Sequence, residues 1–322
     1  MRSQHQPACA LMMAVLLALG GCGSGPTPVT DSAAPVGPNP PMAGLVDVGG
    51  GRRLHLSCNG SGSPTVVLEA GYGDSGAIWS YDPAPAAGRI MVHPGVAQHT
   101  RVCVYDRPGT STPGARDDPA TRSDPVPMPR TAADLVTDLH ALLRSAAVPG
   151  PYVLVGHSLG GILVRLYAST YPDDVAGMVL VDSSHEDQIR RWQQALTPQQ
   201  WALFTNQMQS APAGFDERID LDLSCDQLRD AAAVTPLRQM PLAVLAGAPP
   251  SNGTPPGLLP ADMLQKFDTI HIDLQNQLAT LVTGTQHITT TSGHNIQLDD
   301  PDSVITAITN VITAVRDGQS TL

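Results

Sequence analysis

Basic and aromatic residues are both scarce in this chain of 322 residues. Eighteen Lys and Arg stand against 29 Asp and Glu, which gives a formal net charge of -11, and Lys266 is the only lysine. Nucleic-acid binding needs a basic surface that neutralises phosphates, so we expect no nucleic-acid partner. Aromatic side chains make up only 4% of the residues, which makes any local concentration of them informative.

The chain also lacks the usual metal-binding spacings, because neither H-E-x-x-H nor paired C-x-x-C occurs. One segment, Gly71 to Gly76, matches the G-x-G-x-x-G pattern of dinucleotide binding. That pattern requires a helix directly afterwards, and Pro83 and Pro85 interrupt the segment that follows. We therefore expect neither a metal nor an organic cofactor.

No apolar run is long enough to span a bilayer, and the most apolar stretch lies at the N-terminus. Residues 1–22 are typical of an export signal, with Arg2 as the positive region and residues 8–19 as the apolar core. Leu19-Gly20-Gly21-Cys22 resembles a bacterial lipobox, in which Cys22 would be lipidated. The sequence predicts an exported, membrane-anchored lipoprotein, with ordinary secretion of a soluble protein as the alternative.

Beyond the signal, the composition predicts a linker and one enzyme-sized domain. Residues 23–43 are rich in Gly, Pro, Ser and Thr, which is typical of a disordered linker. Residues 44–322 are long enough for a substantial core, and with 42% of the whole chain hydrophobic there are enough apolar residues to fill it. We expect a single domain with an insertion.

Short apolar runs alternate with helical patterns along this domain. Thr131–Ala147 and Ser303–Val315 carry apolar residues at helical spacing, with Thr131 and Asp300 as predicted N-caps. Strands that alternate with helices predict a mainly parallel sheet. The predicted strands are residues 53–57, 65–68, 101–105, 152–155, 175–181, 242–246 and 286–291.

The most informative segment is Gly156-His157-Ser158-Leu159-Gly160, which follows the apolar run of residues 151–155. An apolar strand that ends in a glycine-flanked serine, with a helix directly after it, is typical of a nucleophile elbow. Such a turn is tight, so its neighbouring positions need minimal side chains. Ser158 is therefore the predicted nucleophile.

A serine nucleophile needs a neutral imidazole to accept its proton, and His294 is the best-placed candidate. It follows a predicted strand through Ser292-Gly293 and precedes a capped helix, so it lies on a loop that could reach the serine. The other candidates lie within predicted strands or helices, or flank the serine with a side chain pointing away from it: His55, His140, His157 and His287.

Together these motifs resemble the α/β-hydrolase superfamily over nearly the whole predicted domain. The resemblance rests on residues 68–73, on Tyr105-Asp106-Arg107-Pro108-Gly109, on the Ser158 elbow and on Ser292-Gly293-His294-Asn295. It implies an α/β fold with a mainly parallel central sheet, helices on both faces, and a helical cap inserted at about residues 183–239. It also implies an oxyanion hole made by the backbone N–H groups of Tyr72 and Leu159.

The third member of a catalytic triad is less well determined by the sequence. The commoner acid position of the family, after the strand 242–246, holds Gly-Ala-Pro-Pro and no carboxylate. Asp182, which follows the strand 175–181, is similar to the acid used by a minority of the family, and it preserves the order Ser, acid, His. Glu186, Asp187 and Asp262 remain alternatives.

The resemblance carries three further expectations. Residues 53–57 and 101–105 become neighbouring strands, so Cys58 and Cys103 can form a disulfide in the oxidising compartment, which leaves Cys225 unpaired. Asp106 is expected to have a structural role at its turn. Trp192, Trp201, Phe204 and Phe215 all fall in the predicted cap. They either pack the cap on the core or line an acyl pocket, and their concentration favours a substrate with an apolar portion.

We therefore predict a cell-envelope serine hydrolase that cleaves small-molecule or lipid esters through a Ser158 acyl-enzyme. Amide, peptide or thioester hydrolysis would use the same groups. A non-catalytic binding module with the same fold is the alternative from another class. The sequence leaves the oligomeric state open.

Overall fold

Within the described residues, eight strands form one sheet in the computed structural model of this chain, which describes residues 40–112, 121–210, 215–252, 254–255 and 257–322. The spatial order is β1-β2-β4-β3-β5-β6-β7-β8. The pairs β1/β2 and β2/β4 are antiparallel, and all other pairs are parallel. The strands are β1 Met42–Gly49, β2 Arg52–Asn59, β3 Thr65–Glu69, β4 Val102–Tyr105, β5 Tyr152–His157, β6 Val175–Val181, β7 Leu242–Ala246 and β8 Gln286–Thr289.

Helices cover both faces of the sheet, as expected. Thr131 caps α2 through a capping box with Asp134, and Asp300 caps α9 by accepting the Ser303 N–H. The helices are α1 Val92–Val96, α2 Ala132–Ser145, α3 Leu159–Thr170, α4 Gln188–Ala195, α5 Pro198–Ser210, α6 Leu221–Val234, α7 Ala261–Leu278, α8 Ile296–Asp299 and α9 Pro301–Arg316.

The central strands are apolar on both sides because each face of the sheet has its own core. In β5, Leu154 belongs to the core that includes residues of α2, α3 and α6. Its neighbours Val153 and Val155 point the other way, into the core that includes residues of α1 and α9. The site residues follow the carboxyl ends of these parallel strands, since Ser158 follows β5 and Asp182 follows β6.

Strand β1 was not among the predicted strands. Its residues alternate between half-buried and exposed, and it pairs with β2 from Met42–Cys58 to Gly49–Arg52. The end of the predicted linker is therefore wrong, because Met42 and Ala43 belong to the sheet. The missed signal is Gly50-Gly51 between two alternating runs, since two residues with positive φ favour a hairpin turn.

The predicted cap also needs correction. Of the helices between β6 and β7, α6 packs against α2 and α3, so it belongs to the main domain rather than to a cap. A separate apolar cluster instead joins α4 and α5 to α7, a helix outside the predicted insertion. We call the helices α4, α5 and α7 the cap group. The sequence does not show that α7 belongs to this group, because an apolar helix face has the same pattern whether it packs in a cap or in the core.

The structure joins Cys58 and Cys103 by a disulfide at directly opposed positions of β2 and β4. Cys225 is a free, buried thiol. The predicted signal, Cys22 and residues 23–39 of the predicted linker lie outside the described residues. Within the described ranges, no helix has the length and apolar character needed to cross a bilayer.

Candidate active site

Ser158 lies in the turn between β5 and α3, with φ 54° and ψ -120°. The turn is so tight that a Cβ on Gly156 would lie 2.5 Å from the Gly160 carbonyl oxygen. A Cβ on Gly160 would lie 2.5 Å from the carbonyl oxygen of Glu69. Both glycines are therefore required by close backbone contacts, as the elbow motif predicts.

His294 lies on the loop after β8 and reaches the serine. Its Nε2 is 3.0 Å from the Ser158 Oγ, and its Nδ1 is 2.6 Å from the Asp182 Oδ2. The side chains of Ser158 and Asp182 are buried, whereas the His294 side chain keeps 23% of its surface exposed. The structure thus brings three predicted site residues together in the hydrogen-bonded order Ser, His, Asp.

Asp182 directly follows β6, and its backbone N–H donates to the Leu245 carbonyl oxygen. Its second carboxylate oxygen, Oδ1, accepts the Gly247 N–H at 2.8 Å and lies 3.4 Å from the His271 Nε2. Burial alone would raise the pKa of Asp182, but the hydrogen bond from His294 and these neighbours hold that pKa below its ordinary value. The carboxylate is therefore ionised at neutral pH.

The commoner acid position is occupied by Gly247 for a steric reason. A Cβ there would lie 3.1 Å from the Asp182 Oδ1 and 2.8 Å from the Gly293 carbonyl oxygen. A carboxylate at both positions would compete for the same space.

The alternative acids are engaged elsewhere in the structure. Glu186 pairs with Arg165, and Asp187 pairs with Arg190 and Arg229. Asp262 accepts a hydrogen bond from Gln200.

His157, next to the nucleophile, holds the His294 loop in place. Its Nε2–H donates to the His294 carbonyl oxygen at 3.0 Å, because a carbonyl can only accept. In a neutral ring, Nδ1 is then unprotonated, and here it faces the Gln297 Nε2 at 3.3 Å. Burial lowers the pKa of His157 to about 3, so it remains neutral. Its ring lies beside the base, with the ring centroids of His157 and His294 4.8 Å apart.

The predicted oxyanion donors are the backbone N–H groups of Leu159 and Tyr72. Leu159 is the first residue of α3, and the first N–H groups of a helix have no partner within that helix. On the other side, the loop after β3 comes so close that a Cβ on Gly71 would lie 3.3 Å from the Ser158 Cβ. Residues 70–73, which follow β3 and which we call the oxyanion loop, therefore pass close to the nucleophile.

Buried charged groups surround the oxyanion loop. Arg107 is held between Glu69 and Glu217, with N–O distances of 2.7 Å to each. Glu217 lies inside the segment assigned to the cap, and no feature of the sequence marks it. Burial raises the pKa of Asp74, which follows the loop, to about 7.

The sequence assigned Asp106 a structural role, and the structure places it in structural contacts. It is fully buried, it accepts the Gly76 N–H, and it pairs with Arg122 at 2.7 Å. The G-x-G-x-x-G segment ends in one short 3₁₀ turn, Gly76–Trp79, rather than in a long helix. In the described part of the chain, His, Cys, Asp and Glu side chains form no group of three or more that could hold a metal.

A cavity of about 150 Å³ opens beside Ser158 and His294, beneath the cap group. Trp192, Phe204 and Phe267 form one wall, with ring centroids 5.0 to 5.7 Å apart. Polar side chains lie nearer the triad, among them His271 and Gln275. Trp192 and Phe204 were predicted from aromatic clustering, whereas the residues of α7 were not.

Parts of this chain are similar in sequence to known proteins. The chain is 29% identical to the pimeloyl-[acyl-carrier protein] methyl ester esterase of Chromobacterium violaceum over 62% of this chain and 65% of that protein. It is 34% identical to the uncharacterised protein YqjL of Bacillus subtilis over 40% of this chain and 43% of YqjL. The chain spans 19% to 43% of the length of three curated relatives that it matches.

Among solved structures, the enol-lactonase of Burkholderia xenovorans is similar, with a TM-score of 0.52 and 17% identity. That similarity covers 83% of this chain and 99% of the enol-lactonase, and it concerns the fold alone. The model of the Alpha/beta hydrolase family matches residues 66–307, which include the elbow, Asp182 and His294. This chain therefore belongs to the alpha/beta hydrolase family.

Proposed function

We propose that the protein is a serine hydrolase that cleaves carboxylic esters through an acyl-enzyme at Ser158. The observation that carries the proposal is the continuous hydrogen-bonded order Ser158, His294, Asp182. An ionised, buried carboxylate on the Nδ1 side keeps the Nε2 lone pair directed at the serine hydroxyl. His294 then carries its proton on Nδ1, and its unprotonated Nε2 can accept the proton of the Ser158 hydroxyl, which activates the serine.

The reaction follows from this geometry. The Ser158 Oγ attacks the ester carbonyl carbon while His294 Nε2 takes its proton. Negative charge then develops on the carbonyl oxygen, where the Tyr72 and Leu159 N–H groups are proposed to receive it. Collapse of the tetrahedral intermediate expels the alcohol, which takes the proton from His294. Water then repeats the sequence on the acyl-enzyme and releases the acid.

The proposed substrates are esters with a small or medium acyl group. A cavity of about 150 Å³ is large enough for a ring the size of benzene. Its aromatic wall suits an apolar group, and the relative from Chromobacterium violaceum is named as a methyl ester esterase. Long-chain lipid esters would need the cap group to open.

Export and lipidation at Cys22 are part of the same proposal, and they rest on the sequence alone. Expression in a bacterial host, with the wild type beside Cys22→Ser, tests them. We expect the wild type to be processed at Cys22, with an N-terminal peptide carrying the added mass of acyl groups. A soluble wild-type protein cleaved elsewhere would contradict the anchor and leave the catalytic proposal untouched.

The catalytic proposal is tested by fluorophosphonate labelling of the purified domain, wild type beside Ser158→Ala, with the adduct located by peptide mass. We expect labelling of the wild type at Ser158 only. A series of p-nitrophenyl esters from acetate to palmitate should then show the highest kcat/KM at short or medium chains. A folded wild-type protein that is neither labelled nor active would instead support a non-catalytic binding module.

A further inference from the structure

The guanidinium of Arg107 lies against the backbone of the oxyanion loop. Its two terminal nitrogens donate to the Gly71 carbonyl oxygen at 2.6 Å and to the Ala70 carbonyl oxygen at 3.0 Å. The Gly71 C=O and the Tyr72 N–H belong to one planar peptide unit. A hydrogen bond to the Gly71 oxygen therefore fixes the direction in which the Tyr72 N–H points. It also polarises that amide, which strengthens the N–H as a donor.

Glu217 holds the same loop from the other side of Tyr72. Its Oε2 accepts the Gly73 N–H at 2.7 Å, and its backbone oxygen accepts the Tyr72 hydroxyl at 3.1 Å. The peptide units before and after Tyr72 are thus both fixed by buried groups. The Glu217 backbone is itself anchored, because its N–H donates to the Gly109 carbonyl oxygen at 2.7 Å.

The two side chains act as one unit. Arg107 Nε donates to Glu217 Oε1 at 2.7 Å, and a terminal nitrogen donates to Glu69 Oε1 at 2.7 Å. Arg107 also donates twice to the oxyanion loop and once to Glu217 Oε2. It therefore makes five hydrogen bonds, as many as a guanidinium has N–H donors. Arg107 is 2% exposed, and neither glutamate is exposed. A shift of either partner would leave a buried charge incompletely paired, so the unit has little freedom to move.

We propose that Arg107 and Glu217 are positioning residues of the oxyanion hole, which set the direction and donor strength of the Tyr72 N–H. The inference rests on the proposed function, because it assigns a role to residues around the same nucleophile. Glu217 comes from the segment that links α5 of the cap group to α6. The segment that leaves the cap group therefore supplies a residue, Glu217, that orients the Tyr72 N–H toward the transition state.

The test compares an ester with its thionoester, in which sulfur replaces the carbonyl oxygen. Sulfur is a weak hydrogen-bond acceptor, so the thionoester gains little from an oxyanion hole. The ratio of the two kcat/KM values therefore reports the hole itself. The ratio does not depend on how much of the protein is folded, since unfolded protein contributes to neither rate.

The variants are Glu217→Gln, which is nearly isosteric, and Arg107→Lys, which cannot make all the contacts of the guanidinium. We expect the ester kcat to fall about tenfold to a hundredfold, somewhat less than after removal of a whole oxyanion donor, with KM nearly unchanged. The ester/thionoester ratio should fall by a similar factor. The matched control is Arg122→Gln, which removes an ion pair with Asp106 near the same turn. It should keep the wild-type ratio.

The outcomes separate the two proposals. A folded wild type that neither hydrolyses esters nor reacts with fluorophosphonate overturns the proposed function. An active wild type whose ratio is unchanged in Glu217→Gln or Arg107→Lys overturns the positioning role alone, even if total activity falls. If Arg107→Lys does not fold, Glu217→Gln decides, because it changes the charge with almost no change in shape.

Discussion

Replacement of Asp182 by asparagine should abolish most activity through the tautomer of His294. The structure determines how the new amide would sit. The Gly247 N–H needs an acceptor at the Oδ1 position, where it now donates at 2.8 Å. The amide oxygen must take that place, because an NH₂ group there would leave two buried donors facing each other, at about 1 to 3 kcal/mol.

The NH₂ group of the asparagine then faces the His294 Nδ1, which lies 2.6 Å from the present carboxylate oxygen. Nδ1 has to accept a hydrogen bond in this arrangement, so the proton moves to Nε2. Such a histidine cannot accept the Ser158 proton. In a serine protease with the same triad logic, this change lowers kcat about 10⁴-fold, which corresponds to about 5 kcal/mol in the barrier.

The assay is the rate of p-nitrophenyl ester hydrolysis and of fluorophosphonate labelling, with folding checked by thermal unfolding. Asp187→Asn is the matched control, because Asp187 pairs with Arg190 and Arg229 rather than with the histidine. We expect it to retain wild-type rates. An Asp182→Asn variant that keeps more than a tenth of the wild-type activity would refute the assignment of the acid.

Three other predictions concern single sites. Because burial raises the pKa of Asp74 to about 7, its contribution to stability is present below pH 4 and lost as pH rises through 7. Asp74→Asn should therefore stabilise the protein at pH 8 by at most about 4 kcal/mol but not at pH 4, and equal gains in urea unfolding at both pH values would contradict this. Gly247→Ala should lower kcat, because its Cβ would press on the triad acid, whereas Gly293→Ala has no atom closer than 3.9 Å and should be tolerated. Comparable activities of these two variants would argue against the tight contact. Replacing Cys58 and Cys103 together by alanine opens a loop of sequence separation 45 and should lower the free energy of unfolding by about 4 kcal/mol, measured in urea against the oxidised wild type. No change in the urea midpoint would show that the crosslink does not stabilise the fold.

Local patterns were enough to predict the central strands and the elbow. Residues 175–181 and 242–246 form strands with the predicted bounds, because fully buried parallel strands read as continuous apolar runs. Ser158 was marked by its glycines, whose need is steric and local. The match to the family model then supports the fold that these runs implied.

What the sequence could not supply were contacts between distant segments. Glu217 is one acidic residue among many, and only the fold brings it beside Arg107, at a sequence separation of 110. His271 reaches the triad acid from a helix that reads as an ordinary amphipathic element. Strand β1 was missed because it includes two glycines, which have low strand propensity, and because apolar Ala43 and Leu45 on its exposed side obscure the alternation.

Backbone strain in this protein is concentrated at the proposed active site. Among the described residues, three that are not glycine have positive φ, and two of them are Ser158 and Asp182. Each such conformation costs about 1 to 3 kcal/mol and persists only because the surrounding structure imposes it. Selection for thermal stability alone would therefore favour glycine at position 158, which would remove the nucleophile. At position 182, glycine would relieve the backbone but leave the buried Gly247 N–H without its acceptor. An engineering campaign on this scaffold has to screen for turnover from the first round, since its simplest route to a higher Tm passes through an inactive enzyme.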